Sequence, residues 1–169
     1  SACGVGNCGS VYLFDGPHLS DISIGDRDGV IEGSELQDQL GFSVTSDGDL
    51  DFDGVDDLMV ETDRGWSPED ENSGTLLIFS GPSLSGTLDE ASALTALYGT
   101  ALNTEFGSSV AVVPDLDGDF YPELVLGAPK SSVMGEDAGA VYGMLGPWTG
   151  GVHDVESESR AQPRHSPKA

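Results

Sequence analysis

The chain repeats itself with a long period. Gly9-Ser-Val-Tyr-Leu-Phe-Asp-Gly-Pro17 returns as Gly74-Thr-Leu-Leu-Ile-Phe-Ser-Gly-Pro82 and again as Gly139-Ala-Val-Tyr-Gly-Met-Leu-Gly-Pro147, with successive starts 65 residues apart. Leu40-Gly-Phe-Ser-Val44 and Phe106-Gly-Ser-Ser-Val110 stand 66 residues apart. Ile31-Glu-Gly33 and Leu97-Tyr-Gly99 form a third pair, each glycine seven residues ahead of its partner motif. A period that holds to within one residue across three landmarks marks a supersecondary unit used more than once, each copy burying its apolar face against its neighbour.

The unit is built from strands. Residues 10–14 and 76–79 are short, β-branched or aromatic, and each runs into Gly-Pro, which ends a strand. Residues 140–145 repeat that pattern as the last clear strand. Phe42-Ser-Val-Thr-Ser46 and Ser109 to Val113 each lead into an acidic loop, and Leu58-Met-Val60 and Leu124 to Leu126 return as antiparallel partners. Residues 89–98 look helical by propensity. The repeat, however, sets Leu97-Tyr98 opposite Ile31-Glu32, so a β segment is expected there. Glu61 to Ser73 reads as an acidic loop carrying Trp66 and Pro68, and Val152 to Val155 as a short added strand. Residues 156–169 are polar, hold two prolines and switch charge sign, as a tail or linker does.

The acidic loops carry the chemistry. Asp115-Leu-Asp-Gly-Asp-Phe-Tyr-Pro-Glu123 puts carboxylates at positions one, three, five and nine: Asp115, Asp117, Asp119 and Glu123. Asp49-Leu-Asp-Phe-Asp-Gly-Val-Asp-Asp57 does the same with Asp49, Asp51, Asp53 and Asp57. Carboxylates this close repel one another unless a cation lies between them. Hard oxygen ligands at alternating positions of a tight turn suit calcium. Asp26-Arg-Asp-Gly29 with Glu32 echoes such a loop only faintly, lacking a third early carboxylate.

Charge narrows the partners. The chain has 30 acidic residues against 6 basic, a net charge of −24, and three of the basics (Arg160, Arg164, Lys168) fall in the final segment. Nucleic acid and anionic membrane would be repelled. Two calcium ions would neutralise only a small part of this charge, so a salty surrounding that screens self-repulsion is a further expectation. No apolar run approaches the roughly 20 residues of a membrane helix, and no stretch reads as a signal peptide. Calcium loops of this kind fill in the millimolar calcium outside cells, so a secreted or cell-surface location is expected. In that setting Cys3 and Cys8 can close a small disulfide loop; free thiols or pairing outside the chain are the alternatives.

Phe106-Gly, nine residues to an acidic loop, then Gly127-Ala-Pro129, resembles the FG-GAP repeat of integrin alpha subunits and of many bacterial surface proteins. The resemblance covers roughly residues 9–150. It implies an all-β fold of consecutive four-stranded antiparallel propeller blades, here partial, about two to two and a half blades. Residues 1–33 would supply the last two strands of a first blade with the Cys3–Cys8 loop. Residues 34–99 would form a complete blade with calcium loop 49–57, and residues 100–155 a second with calcium loop 115–123. The resemblance adds the position-seven carbonyls, of Val55 and Tyr121, to the two calcium ligand sets. Three positions depart from the family pattern. Phe120 stands where glycine is usual at position six, as Gly54 does in the other loop. Glu123 replaces aspartate at position nine. Glu61-Thr-Asp63 replaces Gly-Ala-Pro in the first copy.

Closed propellers use roughly 4 to 8 blades, so a single chain of this length leaves sheet edges to be covered. A piece of a longer protein, a ring completed by other blades or identical chains, and a capped open stack are the three ways to do so. The function expected is a non-enzymatic, extracellular, calcium-binding module for structural assembly or adhesion. The alternatives are a lectin-like propeller taking carbohydrate or protein through Trp66 and Trp148, or a non-catalytic fragment of a larger surface enzyme. His18, His153 and His165 belong to no recognisable pairing with a nucleophile, and no phosphate loop or Gly-x-Ser-x-Gly occurs.

Overall fold

The computed structural model describes residues 8–17, 21–34, 39–62, 73–99 and 102–155, with residues 152–155 described by their backbone alone. It is all-β apart from three single-turn 3-10 segments, at Ile24–Asp26, Gly81–Ser83 and Glu90–Ser92. The strands are β1 (Ser10–Leu13), β2 (Gly29–Glu32), β3 (Leu40–Thr45), β4 (Leu58–Thr62), β5 (Thr75–Phe79) and β6 (Gly86–Leu88). They continue with β7 (Thr95–Gly99), β8 (Ser109–Val113), β9 (Glu123–Ala128), β10 (Ala140–Met144) and β11 (Gly151–Val155). The segment with helical propensity forms a single 3-10 turn and then β7, as the repeat requires. Packing of Leu97 and Ala96 into the core outweighs propensity there.

Three sheets stack face to face. The first has the order β1-β2-β6, the middle one β11-β7-β5-β4-β3, and the third β10-β9-β8. The antiparallel meanders follow the repeat, β3-β4-β5-β7 matching β8-β9-β10. Two strands leave their own unit. β6 lies between β5 and β7 in the chain, yet pairs in parallel with β2 of the preceding sheet. β11 likewise pairs in parallel with β7 of the middle sheet. Each unit thus lends a strand to the outer edge of its predecessor, and the middle sheet gains a fifth strand beyond the four expected.

The middle sheet is covered on both faces, so β4 and β5 are buried at every position and read as nearly unbroken apolar runs. Towards the first sheet, Leu58, Val60, Leu77, Phe79 and Ala96 pack with Ile31 and Leu40. Towards the third, Met59, Leu76, Ile78 and Leu97 pack with Phe106, Leu124, Leu126 and Trp148. The outer sheets have one covered face each, so β1, β8 and β10 alternate.

Contacts that recur with the repeat tie strands together within and between the sheets. The Phe106 N–H donates to Ser73 O (3.1 Å) and the Gly99 N–H to Gly74 O (3.0 Å), just as Leu40 donates to Cys8 O and Gly33 to Gly9 O one unit earlier. Gly74 has a φ of +88°, and a Cβ there would lie 2.2 Å from Phe106 O. Only glycine allows this approach. Cys8, whose carbonyl makes the first of these contacts, is buried and disulfide-bonded. Cys3 lies outside the described residues, as do His18, Trp66 and the expected tail.

Candidate metal centres

The two acidic loops occupy equivalent places in successive units, between β3 and β4 and between β8 and β9. Each begins where an exposed strand end turns and closes where the ninth residue drops into the core. Asp57 and Glu123 are buried, whereas Asp115, Asp117, Asp119, Asp53 and Val55 are exposed and Asp49, Asp51 and Tyr121 half-buried.

In the second loop all four carboxylates converge: Asp115, Asp117, Asp119 and Glu123 each offer an oxygen within 4.8 Å of the others. The backbone arranges them. The Gly118 N–H donates to Asp115 Oδ1 (2.6 Å), Asp119 to Asp117 Oδ1 (3.2 Å) and Tyr121 to Asp119 Oδ1 (2.8 Å). Glu123 accepts the Leu116 N–H through Oε2, while its Oε1 is buried with no hydrogen-bond partner. A buried carboxylate oxygen without a donor is costly unless a cation reaches it. The donor set is all carboxylate oxygen, which suits a hard cation. These residues therefore fit a calcium-type ion.

In the first loop three carboxylates converge, those of Asp49, Asp51 and Asp57. Asp53 is held elsewhere: its Oδ2 accepts the Ser80 hydroxyl (3.0 Å) and its Oδ1 the Val55 N–H (2.9 Å). The residue equivalent to Ser80 in the second copy is Leu145, which has no hydroxyl to offer, so Asp119 stays with its cluster. Both oxygens of Asp57 accept backbone donors, Leu50 N–H to Oδ2 (2.7 Å) and Gly81 N–H to Oδ1 (3.0 Å). Burial still pushes its carboxyl above the usual carboxylate range, with the charge of Asp51 adding and the backbone donors opposing. A cation beside it would act in the opposite direction.

Ser80 and Gly81 were not legible as site residues. Gly-Pro marked a strand end in the repeat, but Gly81 also donates to the ninth-position carboxylate. A Cβ at Gly81 would lie 2.5 Å from Asp56 O, and one at Gly146 would lie 2.8 Å from the Tyr121 side chain. Gly81 and Gly146 thus let their loops close against the following turn.

The candidate sugar-binding face of Trp148 is not presented, and the faint acidic echo at Asp26 and Asp28 is used locally. Trp148 is 3 % exposed and its Nε1 donates to Pro122 O (2.8 Å), so it anchors the second loop from within the core and presents no face to a sugar. Asp26 accepts from the Ser23 N–H and hydroxyl, and Asp28 from the Asp15 N–H, so these carboxylates serve local turns. Among the described residues no other His, Cys, Asp or Glu group gathers as the two loops do.

The fold and loops define a repeat class, and comparison with known proteins agrees. The family model of the FG-GAP repeat matches residues 106–144. Integrin alpha-IIb of Homo sapiens is 31 % identical over 123 residues, 71 % of this chain and 11 % of that protein. Integrin alpha-5 of Xenopus laevis is 31 % identical over 114 residues, 67 % of this chain and 10 % of its own length. Integrin alpha-3 of Cricetulus griseus is 30 % identical over 134 residues, 79 % of this chain and 12 % of its own. The chain carries an FG-GAP repeat over residues 106–144 and is similar to integrin alpha subunits over two thirds or more of its length. It spans about a tenth of the length of the curated relatives it matches.

Proposed function

We propose that this chain is a non-enzymatic, calcium-stabilised propeller module that works outside the cell in structural assembly or adhesion. The observation that carries the reading is Glu123 Oε1, buried without a partner at the base of a cluster of three further carboxylates. Asp115, Asp117, Asp119 and Glu123, with the Tyr121 carbonyl, would hold one ion. Asp49, Asp51 and Asp57, with the Val55 carbonyl, would hold the other, joined by Asp53 once it releases Ser80. The ion supplies charge neutralisation; the chain supplies a fixed turn between two strands of one sheet. With free calcium at about 100 times the dissociation constant, each site would add roughly 2.7 kcal/mol to the folded state.

The exposed outer face of the third sheet, among the described residues, supports association with other blades, of the same parent protein or of identical chains. Outward on the third sheet lie Val141, 74 % exposed, and Leu145. On the middle sheet the equivalents of Val141 and its neighbour Gly143, Leu76 and Ile78, are covered by the next unit. A disulfide between Cys3 and Cys8 fits an extracellular setting. No helix among the described residues is long and apolar enough to cross a membrane.

The test is light scattering combined with urea unfolding, in calcium and then in chelator. Calcium is expected to raise the unfolding midpoint, with chelation dissociating any multimer or lowering its stability. An unchanged midpoint and mass in chelator would remove calcium from the account.

A further inference from the structure

We infer that Phe52 couples the two acidic loops, so that a cation held by the first raises the affinity of the second. This rests on the calcium reading above and goes beyond it. The loops lie 66 residues apart in the chain. Yet the ring of Phe52, at the fourth position of the first, meets that of Tyr121, at the seventh position of the second. The centroids are 5.1 Å apart and the planes cross at 62°, an edge-to-face pair.

Phe52 is an improbable residue for its place. It is 55 % exposed and has a φ of +62°, a region that disfavours bulky side chains. The equivalent residue of the second loop is Gly118, with a φ of +90°. Position six is reversed, Gly54 in the first loop and Phe120 in the second. The phenylalanine of the first loop reaches across to the neighbouring unit, while Phe120 is 84 % exposed.

The ring contact connects to ligands on both sides. The peptide following Phe52 is held by the carboxylates that would bind the first ion: the Asp53 N–H donates to Asp49 Oδ1 and to Asp51 Oδ1, each at 3.1 Å. Fixing those carboxylates on a cation fixes the backbone that aims the Phe52 ring. Across the gap, Tyr121 lies between two carboxylates of the second cluster, and its N–H donates to Asp119 Oδ1. Tyr121 is backed by Gly146 and by Trp148 bonded to Pro122 O, so it is braced by the following turn as well as by Phe52. Ordering Phe52 thereby orders Tyr121 and Asp119 before the second ion arrives, and less ordering entropy is lost when that ion binds. Phe52 is a positioning residue in this scheme and touches neither ion.

The test is a mutant cycle on the whole chain, read by calcium titration calorimetry and by tryptophan fluorescence. Asp49→Asn with Asp51→Asn disables the first loop. In the otherwise native chain this is expected to weaken the second loop's calcium affinity by about two- to tenfold, the scale of one aromatic pair. In a Phe52→Gly background, which installs the residue the second loop carries at this position, the same disabling is expected to leave the second loop unchanged. A second-loop affinity indifferent to the first in the native chain would overturn the coupling. So would a dependence that persists undiminished in Phe52→Gly, which would route it through the shared core around Leu50. Absence of calcium binding by either loop would instead overturn the calcium reading itself, and is distinguishable because no titration heat would appear at all.

Discussion

Single residues set how well each acidic turn can form. Both loops need left-handed backbone at positions four and six, and each meets the need once with glycine and once with phenylalanine. Phe120, at +75°, is strained and makes little contact to compensate, being largely exposed. Phe120→Gly is therefore expected to raise stability by up to about 1 kcal/mol despite the added freedom of the unfolded chain. Gly54→Ala, where no atom lies within 4 Å of the new Cβ, tests the backbone strain without a clash and is expected to cost about 1–2 kcal/mol. Urea midpoints of both variants in chelator check this; a destabilised Phe120→Gly would contradict the strain argument. The departure at Phe120 was visible in the sequence because its neighbour copy has glycine. That Ser80 draws Asp53 out of the first cluster was not, since the two meet only once β5 lies beside the loop.

At the level of elements, equivalent loops differ because their neighbours differ. Leu50 and Leu116 occupy the same second position, and the repeat treats them alike. Leu50 is fully buried in the core that holds Met59, Leu124 and Trp148, while Leu116 is 64 % exposed because no described unit lies beyond it. Leu50→Ala is expected to cost about 2–5 kcal/mol and Leu116→Ala to stay within about 0.5 kcal/mol. Denaturant unfolding of the pair decides it, and equal costs would mean that the third sheet does not cover the first loop. The strands were legible from short β-branched and aromatic runs and from Gly-Pro stops. The parallel docking of β6 and β11 onto the preceding sheet was not. A three-residue strand such as Gly86–Leu88 carries no periodicity that names its partner, and an edge is open to whichever strand the chain can reach.

Across the whole molecule, charge outweighs every other surface property. A net −24 is spread over 169 residues, with Lys130–Glu105 an ion pair among the described residues. Self-repulsion opposes the compact state and is screened by salt. Raising sodium chloride from about 0.1 M to about 1 M shortens the screening length from roughly 10 Å to 3 Å. The chelated protein should then unfold at a higher urea concentration, with a smaller gain once calcium is bound. A midpoint independent of salt would show that repulsion is not what limits stability.

The all-β repeat, its period and the two acidic turns could be read from the chain alone. Each is written locally, in short apolar runs, in spaced carboxylates or in the recurrence of one pattern. Folding in three dimensions was needed to settle which carboxylates converge, which oxygen is left without a donor, which leucine is buried and which aromatic rings meet. Those outcomes depend on what the neighbouring sheet presents across a gap of a few ångströms, and residues 66 apart in the chain carry no mark of that distance.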